Sequence, residues 1–357
     1  MVTFTDKLKG LLFLEFNKDQ AAAVFGVPEL ESVPGDLYIP INPEFLIKEI
    51  NEANPLSQLP LAEFIIGMAY CLGADPNFKY GDSYVLILKG FAPASGMIKH
   101  KAAELVKQGK RSEVFILLAG LYEAAGDEEI ETALLTLGEE LALKDIAYGD
   151  NVLHLADTAI VNGNNQGRLI KGSILRLLGK IGEALSFFRD YVANGGEETP
   201  ELAEVMEGLD RTDTLDSGYA LVHDKPAEAL ETLLPLYKSE SSNPRYLYHL
   251  ALAYRNLGNH DKAIYYLEEG RLLDNAYLDI LNELGINYAM LDDQRTAEAY
   301  FRKVYEASGD IAPLTNLIIC LFDQGKAEEG RQLFEIAQKK LPGDEILAEI
   351  KKIYLKQ

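Results

Sequence analysis

From Pro244 to the C-terminus the apolar residues fall three or four apart, the spacing of one buried helix face, and this pattern recurs every 34 residues, or 33 in one step. Leu250, Leu284 and Leu317 share one column, followed by Ala251, Gly285 and Ile318, then Tyr254, Tyr288 and Leu321. Further columns hold Gly258, Asp292 and Gly325; Ala263, Ala297 and Gly330; and Leu267, Phe301 and Phe334. Self-similarity at this period marks a solenoid, because one unit cannot bury its apolar face alone and must stack on its neighbours.

The same columns reappear upstream in the unit that starts near Asn165, as Gly172, Leu175, Gly179, Ala184 and Phe188. One period earlier, Glu131 opens a repeat with Leu137, Gly138 and Leu141 in register. Ala119, Tyr122, Gly126 and Leu135 imitate the pattern in another phase, but strict alternation of helices favours the phase set by Asn165. Helices are predicted at Gly96–Gln108, Ser112–Ala125, Glu128–Lys144, Gly149–Val161, Gln166–Leu178 and Ile181–Val192. Gly109, Gly126, Gly163, Gly179 and Gly195 fall just past helix ends, where a positive φ is wanted.

These columns resemble the tetratricopeptide repeat, a pair of antiparallel helices with small residues at the close crossing and large ones between repeats. The resemblance implies an all-α, right-handed superhelical solenoid of helix pairs. Ala251, Gly285, Ala263 and Ala297 are then structural, and enlarging any of them should strain the stack by roughly 1 to 3 kcal/mol. It also implies partner binding on a concave surface lined by non-consensus positions of each first helix. Helical spacing selects Arg245, Tyr248, His249, Leu252 and Arg255, then Asn282, Glu283 and Ile286, then Asn316 and Phe322. The mixture of aromatic, amide, Arg and apolar groups suits a peptide segment. The carboxylate clamp by which some members hold acidic chaperone tails needs Lys, Arg and Asn at places occupied here by Tyr248, Leu252, Glu283 or its neighbour Asn282, Ala312 and Asn316. The clamp is absent, so a basic or apolar partner segment is expected.

The remaining stretches depart from the repeat. Residues 1–93 carry no visible period and are punctuated by proline, which favours short helices: Thr5–Phe16, Pro43–Glu52, Pro60–Leu72 and Asp82–Lys89. Val27–Ile41 reads as extended, and we take it as a cap on the first repeats, the alternative being an exposed arm. Residues 94–195 are degenerate repeats and 196–213 an acidic insert of about eleven extra residues, with Leu202, Val205, Met206 and Leu209 at helical spacing. Repeats resume over 214–343. The segment 344–357 closes the array as a lone helix, with Ile346, Leu347, Ile350, Ile353 and Tyr354 expected to face inward.

Charge and chemistry narrow the function. The chain has 34 basic and 56 acidic residues, a formal charge of -22, which argues against nucleic acid and anionic lipid as partners. The densest basic stretch, Lys99 to Arg111, is interrupted by apolar and acidic positions and reads as a solvated helix face. Cys71 and Cys320 each sit in an apolar run and read as buried thiols, while the five histidines show no metal-ligand spacing. No phosphate-loop, dinucleotide or nucleophile-elbow motif occurs, and no cofactor or metal is expected. Neither a signal peptide nor a membrane span is apparent, which points to a cytoplasmic protein. The expected function is a non-catalytic scaffold or adaptor, with monomer favoured. The alternatives are a docking arm of an enzyme complex and a self-associating assembly protein.

Overall fold

A computed structural model describes residues 4–45, 47 and 61–355. It divides into two compact units, residues 1–209 and 210–357. Each is a succession of packed helices, so the fold is all-α apart from one two-stranded ribbon. Among the described residues no helix is long and apolar enough to cross a membrane.

The first unit opens differently from the sequence expectation. Thr5–Gly10 is a 3-10 turn and Leu12–Phe16 is a strand, β1, where a helix is predicted. The run LFLEF alternates its side chains on two faces as readily as it winds a helix, and a partner strand decides between them. That partner is β2, Leu37–Ile41, antiparallel to β1 with Leu12 opposite Ile41 and Phe16 opposite Leu37. Between the strands lie α1, Lys18–Phe25, and a 3-10 turn at Pro28–Ser32. β2 is buried, and the Tyr84 hydroxyl donates to the Tyr38 carbonyl over 2.5 Å, so this extended segment packs on the helices. Of the helix predicted at Pro43–Glu52, residues 46 and 48–52 lie outside the described residues.

Helices then follow close to prediction: α2 Leu61–Ala74, α3 Gly81–Gly90, α4 Ala94–Lys107, α5 Arg111–Ala125, α6 Glu128–Lys144, α7 Gly149–Val161, α8 Gln166–Leu177 and α9 Ile181–Ala193. The tightest crossing is that of α2 with α5. A Cβ added to Gly120 would lie 1.7 Å from the Ala69 carbonyl oxygen, and one added to Gly73 would lie 1.7 Å from that of Ile116. The two backbones therefore touch, which only glycine at both positions allows.

The next pairs use the same device less severely. An added Cβ on Gly138 of α6 would lie 2.9 Å from Val152 of α7, and one on Gly172 of α8 would lie 2.7 Å from the Phe188 ring of α9. At the junction of α5, α6 and the loop before α8, the Glu131 carboxylate is 2% exposed yet has no cationic partner among the described residues. The Tyr122 hydroxyl, the Asn162 amide at 2.8 Å and the Asn164 amide at 2.9 Å donate to it. Burial pushes its pKa up, and these hydrogen bonds outweigh that and hold it below the ordinary carboxylate range.

The insert is part of a longer element than expected. Pro200–Leu221 is one 22-residue helix, α10, which joins the acidic segment to the first helix of the next repeat. The division between units falls within it. In the first unit Leu209 is buried against Leu175, Ala184, Leu185 and Phe188, with Leu202, Val205 and Met206 flanking it.

The second unit continues through α11 Pro226–Leu233, the single turn α12 Tyr237–Glu240, α13 Pro244–Asn256, α14 His260–Leu273, α15 Leu278–Met290, α16 Gln294–Ser308, α17 Ile311–Asp323, α18 Ala327–Lys340 and α19 Glu345–Tyr354. Gly218 of α10 meets Leu233 of α11, and Gly285 of α15 meets the Phe301 ring of α16. The turn between the helices of each repeat needs a left-handed residue at one point. Gly258 and Gly325 supply it with φ of 75° and 76°, and Asp292 adopts φ of 63° in the same column.

In α19 the Asp344 carboxylate caps the helix by accepting from the Leu347 amide over 2.9 Å. Leu347 and Ile350 are buried and Tyr354 packs beside them, but Ile346 and Ile353 are 55% and 62% exposed. The inward stripe is thus narrower than expected: at 100° per residue, positions 347, 350 and 354 share a face and 346 and 353 lie on its flank.

Gly120→Ala is expected to destabilise the protein by about 3 kcal/mol, because neither backbone at the crossing has room to move aside. Gly96, in α4, has open space around it, so Gly96→Ala should instead stabilise by about 0.5 kcal/mol. Chemical denaturation of the two variants checks both signs.

Candidate functional site

The candidate residues begin on α13, whose position is fixed locally. Asn243 caps it by accepting from the amides of Arg245 and Tyr246 at 3.1 and 3.4 Å, and Pro244 occupies the first helical position. Tyr246, Leu247, Leu250, Ala251 and Ala253 are buried in the repeat core. Tyr246 also donates its hydroxyl to the Leu233 carbonyl over 2.8 Å, which ties the helix to α11. This leaves Arg245, Tyr248, His249, Arg255 and Asn256 toward the opposite face.

A row of rings occupies that face. His249 stacks on Tyr219 with ring centres 3.9 Å apart and planes 18° apart. Tyr248 meets His249 edge-on at 5.3 Å and stacks with Tyr277 at 6.0 Å. The Arg245 guanidinium lies 5.1 Å above the Tyr219 ring, a cation–π contact. Burial, then Arg245 and His223, push the His249 pKa down to about 4, so the imidazole is neutral near pH 7. Its Nδ1 atom and the Oδ1 atom of Asn282 are buried without a hydrogen-bond partner among the described residues. A buried polar atom left unpaired costs about 1 to 3 kcal/mol.

Next to this row lies a polar pair that is already complete. Arg255 Nη1 donates to both Glu283 carboxylate oxygens, at 2.9 and 2.8 Å. Glu283 is 7% exposed; burial raises its pKa and Arg255 opposes that rise, leaving a net upward shift. Asn287 donates to the Glu283 carbonyl over 2.8 Å, and its Oδ1 lies 2.9 Å from His260 Nδ1. Asn256 donates to the Val222 carbonyl over 2.7 Å. Arg255 and Glu283 thus join neighbouring first helices and offer little charge to a ligand.

The expected set therefore divides. Arg245, Tyr248, His249, Asn282, Ile286 and Asn316 retain accessible surface. Leu252 is only 3% exposed and belongs to the core. Phe322 stacks on Tyr354 of α19, with centres 5.0 Å apart and planes 9° apart, and so supports the terminal helix.

Sequence analysis missed Tyr219 and Tyr277. Gly218 lies fifteen positions before Leu233, whereas Gly172 and Gly285 lie sixteen before Phe188 and Phe301, so α10 is one residue out of phase with its second helix. That shift puts Tyr219 in the inner row, and the glycine beside it is the clue in the sequence. Tyr277 precedes α15 and carries no periodic mark.

Residues 219–276 match the family model described as tetratricopeptide repeat. The chain is 22% identical over 255 residues to a TPR repeat-containing protein of Methanocaldococcus jannaschii, a match covering 69% of this chain and 43% of the relative. The chain thus covers less than half the length of that curated relative. Solved structures similar to it include a thermophilic TPR protein of Thermus thermophilus, 20% identical, covering 54% of this chain and 98% of that one, with a TM-score of 0.33. Another is the Cut9–Hcn1 hetero-tetramer of the APC/C, 14% identical, covering 84% of this chain and 64% of that one, with a TM-score of 0.38.

The depressed His249 pKa makes stability depend on pH. The unfolded imidazole takes up a proton below about 6.5 while the folded one resists until about 4. The stability it contributes is therefore full above pH 6.5 and is lost as the pH falls toward 4. His249→Phe keeps the stack on Tyr219 without a titrating group, so the drop in melting temperature between pH 7 and pH 4.5 should be smaller than in the wild type. An unchanged drop refutes this account.

Proposed function

Because this chain is a tetratricopeptide-repeat protein, we propose that it is a non-catalytic scaffold that holds a segment of a partner protein along the first helices of its second unit. The observation that carries this reading is the row of rings Tyr219, His249, Tyr248 and Tyr277, with the Arg245 guanidinium over Tyr219. The rings supply rigid apolar area to a bound segment at small entropic cost.

Charge favours a basic or apolar segment. The chain carries a formal charge of -22, and Asp279 stands exposed at the start of α15 near Tyr277. Arg255 is spent on Glu283, which leaves Arg245 as the cation beside the rings, itself drawn over Tyr219. An acidic tail meets an unfavourable field here, while a segment with Lys or Arg flanking an apolar residue meets Ile286 and the tyrosines.

Titrating fluorescent peptides of equal length and opposite net charge tests the reading. Basic–apolar peptides should bind more tightly than acidic ones, and Tyr248→Ala or Asn282→Ala should each weaken binding by about 1 to 2 kcal/mol. Tighter binding of the acidic series, or indifference to both substitutions, overturns it.

A further inference from the structure

The first unit contains a cavity of about 320 Å³ between the Thr5–Gly10 turn, α2, α4 and α5. Its apolar walls include Ile66, Leu105 and Leu117, and Glu63, Lys101 and Lys110 stand among them. The cavity gathers lysines in a chain where acidic residues outnumber basic ones, 56 to 34. Two of the three come from the stretch Lys99 to Arg111, which sequence reading treats as a solvated face; the third is Lys7.

The charges are not equally engaged. Lys7 donates to Glu113 over 2.9 Å and to Ser112 over 3.3 Å, and Lys101 donates to Glu104 over 3.1 Å. Two charged groups on the wall have no ion pair or side-chain hydrogen bond among the described residues. One is the exposed ammonium of Lys110. The other is the half-buried carboxylate of Glu63, whose pKa is raised by burial, with Lys101 opposing and Glu104 adding to the rise. A carboxylate removed from water without a partner is costly, and a cation delivered to it lowers that cost. A simple cation arriving there is opposed by Lys101 and Lys110, and a simple anion by Glu63. A molecule with one charge of each sign satisfies both ends.

We propose that this cavity binds a small zwitterion with an apolar side chain, an amino acid or dipeptide, its ammonium on Glu63 and its carboxylate on Lys110. The side chain lies against Ile66, Leu105 and Leu117. The volume stands at the lower end of ligand sites, about 300 to 1,000 Å³, which suits one or two residues and not a longer peptide. The site lies in the first unit and does not depend on the partner-binding reading of the second.

Calorimetric titration of the full chain with leucyl-leucine, its N-acetyl form and its C-terminal amide tests the proposal. The free dipeptide should bind about tenfold more tightly than either capped form. In Glu63→Gln the penalty for acetylation should disappear while that for amidation stays; in Lys110→Met the reverse should hold. Free leucine binding with the same dependence on both charges supports the site as an amino-acid pocket. Tyr248→Ala, in the second unit, should leave all these affinities unchanged. Capped forms that bind as well as the free dipeptide, penalties unmoved by the two substitutions, or no binding of the free forms at millimolar concentration overturn the proposal. Melting curves matching the wild type exclude misfolding of the variants as the cause.

Discussion

Close approach between helix backbones is the constraint on which both units depend. A helix pair can bury a continuous core only if one partner presents a small residue where the other presents bulk. This chain meets the condition with Gly138 against Val152, Gly172 against Phe188, Gly218 against Leu233 and Gly285 against Phe301. The crossing of α2 and α5 is the limiting case, since glycine on both sides brings each helix onto the other's carbonyls. The repeat period is the sequence record of this packing. A residue inserted between the small position and its bulky mate rotates one of them by about 100° and breaks the fit.

Once the small and large positions are committed to packing, the remaining polar groups divide into two kinds. Some are spent inside the protein: Arg255 on Glu283, Asn256 on the Val222 carbonyl, and Tyr122, Asn162 and Asn164 on Glu131. These connect successive elements through low-dielectric surroundings, where a satisfied hydrogen bond is strong and an unsatisfied one costly. Others have no hydrogen-bond or ion-pair partner among the described residues: His249 Nδ1 and Asn282 Oδ1, which are buried, and in the first unit the half-buried Glu63 carboxylate.

The irregular segments are adapted to their places. The ribbon of β1 and β2 buries its second strand against the helices of the first unit and engages Tyr84 by a backbone hydrogen bond. The acidic segment before Asp210 is continuous with a repeat helix, and its apolar residues complete the core around Phe188. Tyr354 of α19 stacks on Phe322, so a residue expected from the sequence to face a partner packs against a neighbouring helix.

The sequence by itself determined the helix pairs, their columns and most of their ends, because local periodicity, glycine at helix termini and small residues at crossings are properties of neighbouring positions. It also singled out Arg245, Tyr248, His249 and Asn282 as positions outside the repeat's packing columns. Only the tertiary structure decided that Leu12–Phe16 is a strand, since its partner lies beyond Pro34, and that Arg255 is consumed by Glu283, 28 residues away. It likewise decided that Phe322 is covered and that Ile346 and Ile353 stay exposed, both set by how one helix docks on another. It brought Tyr219 into line through a one-residue phase shift and placed Lys101 and Lys110 around a cavity with Glu63. Each of these depends on a pairing between segments distant in the chain, and periodicity says which face is buried without saying what is buried against it.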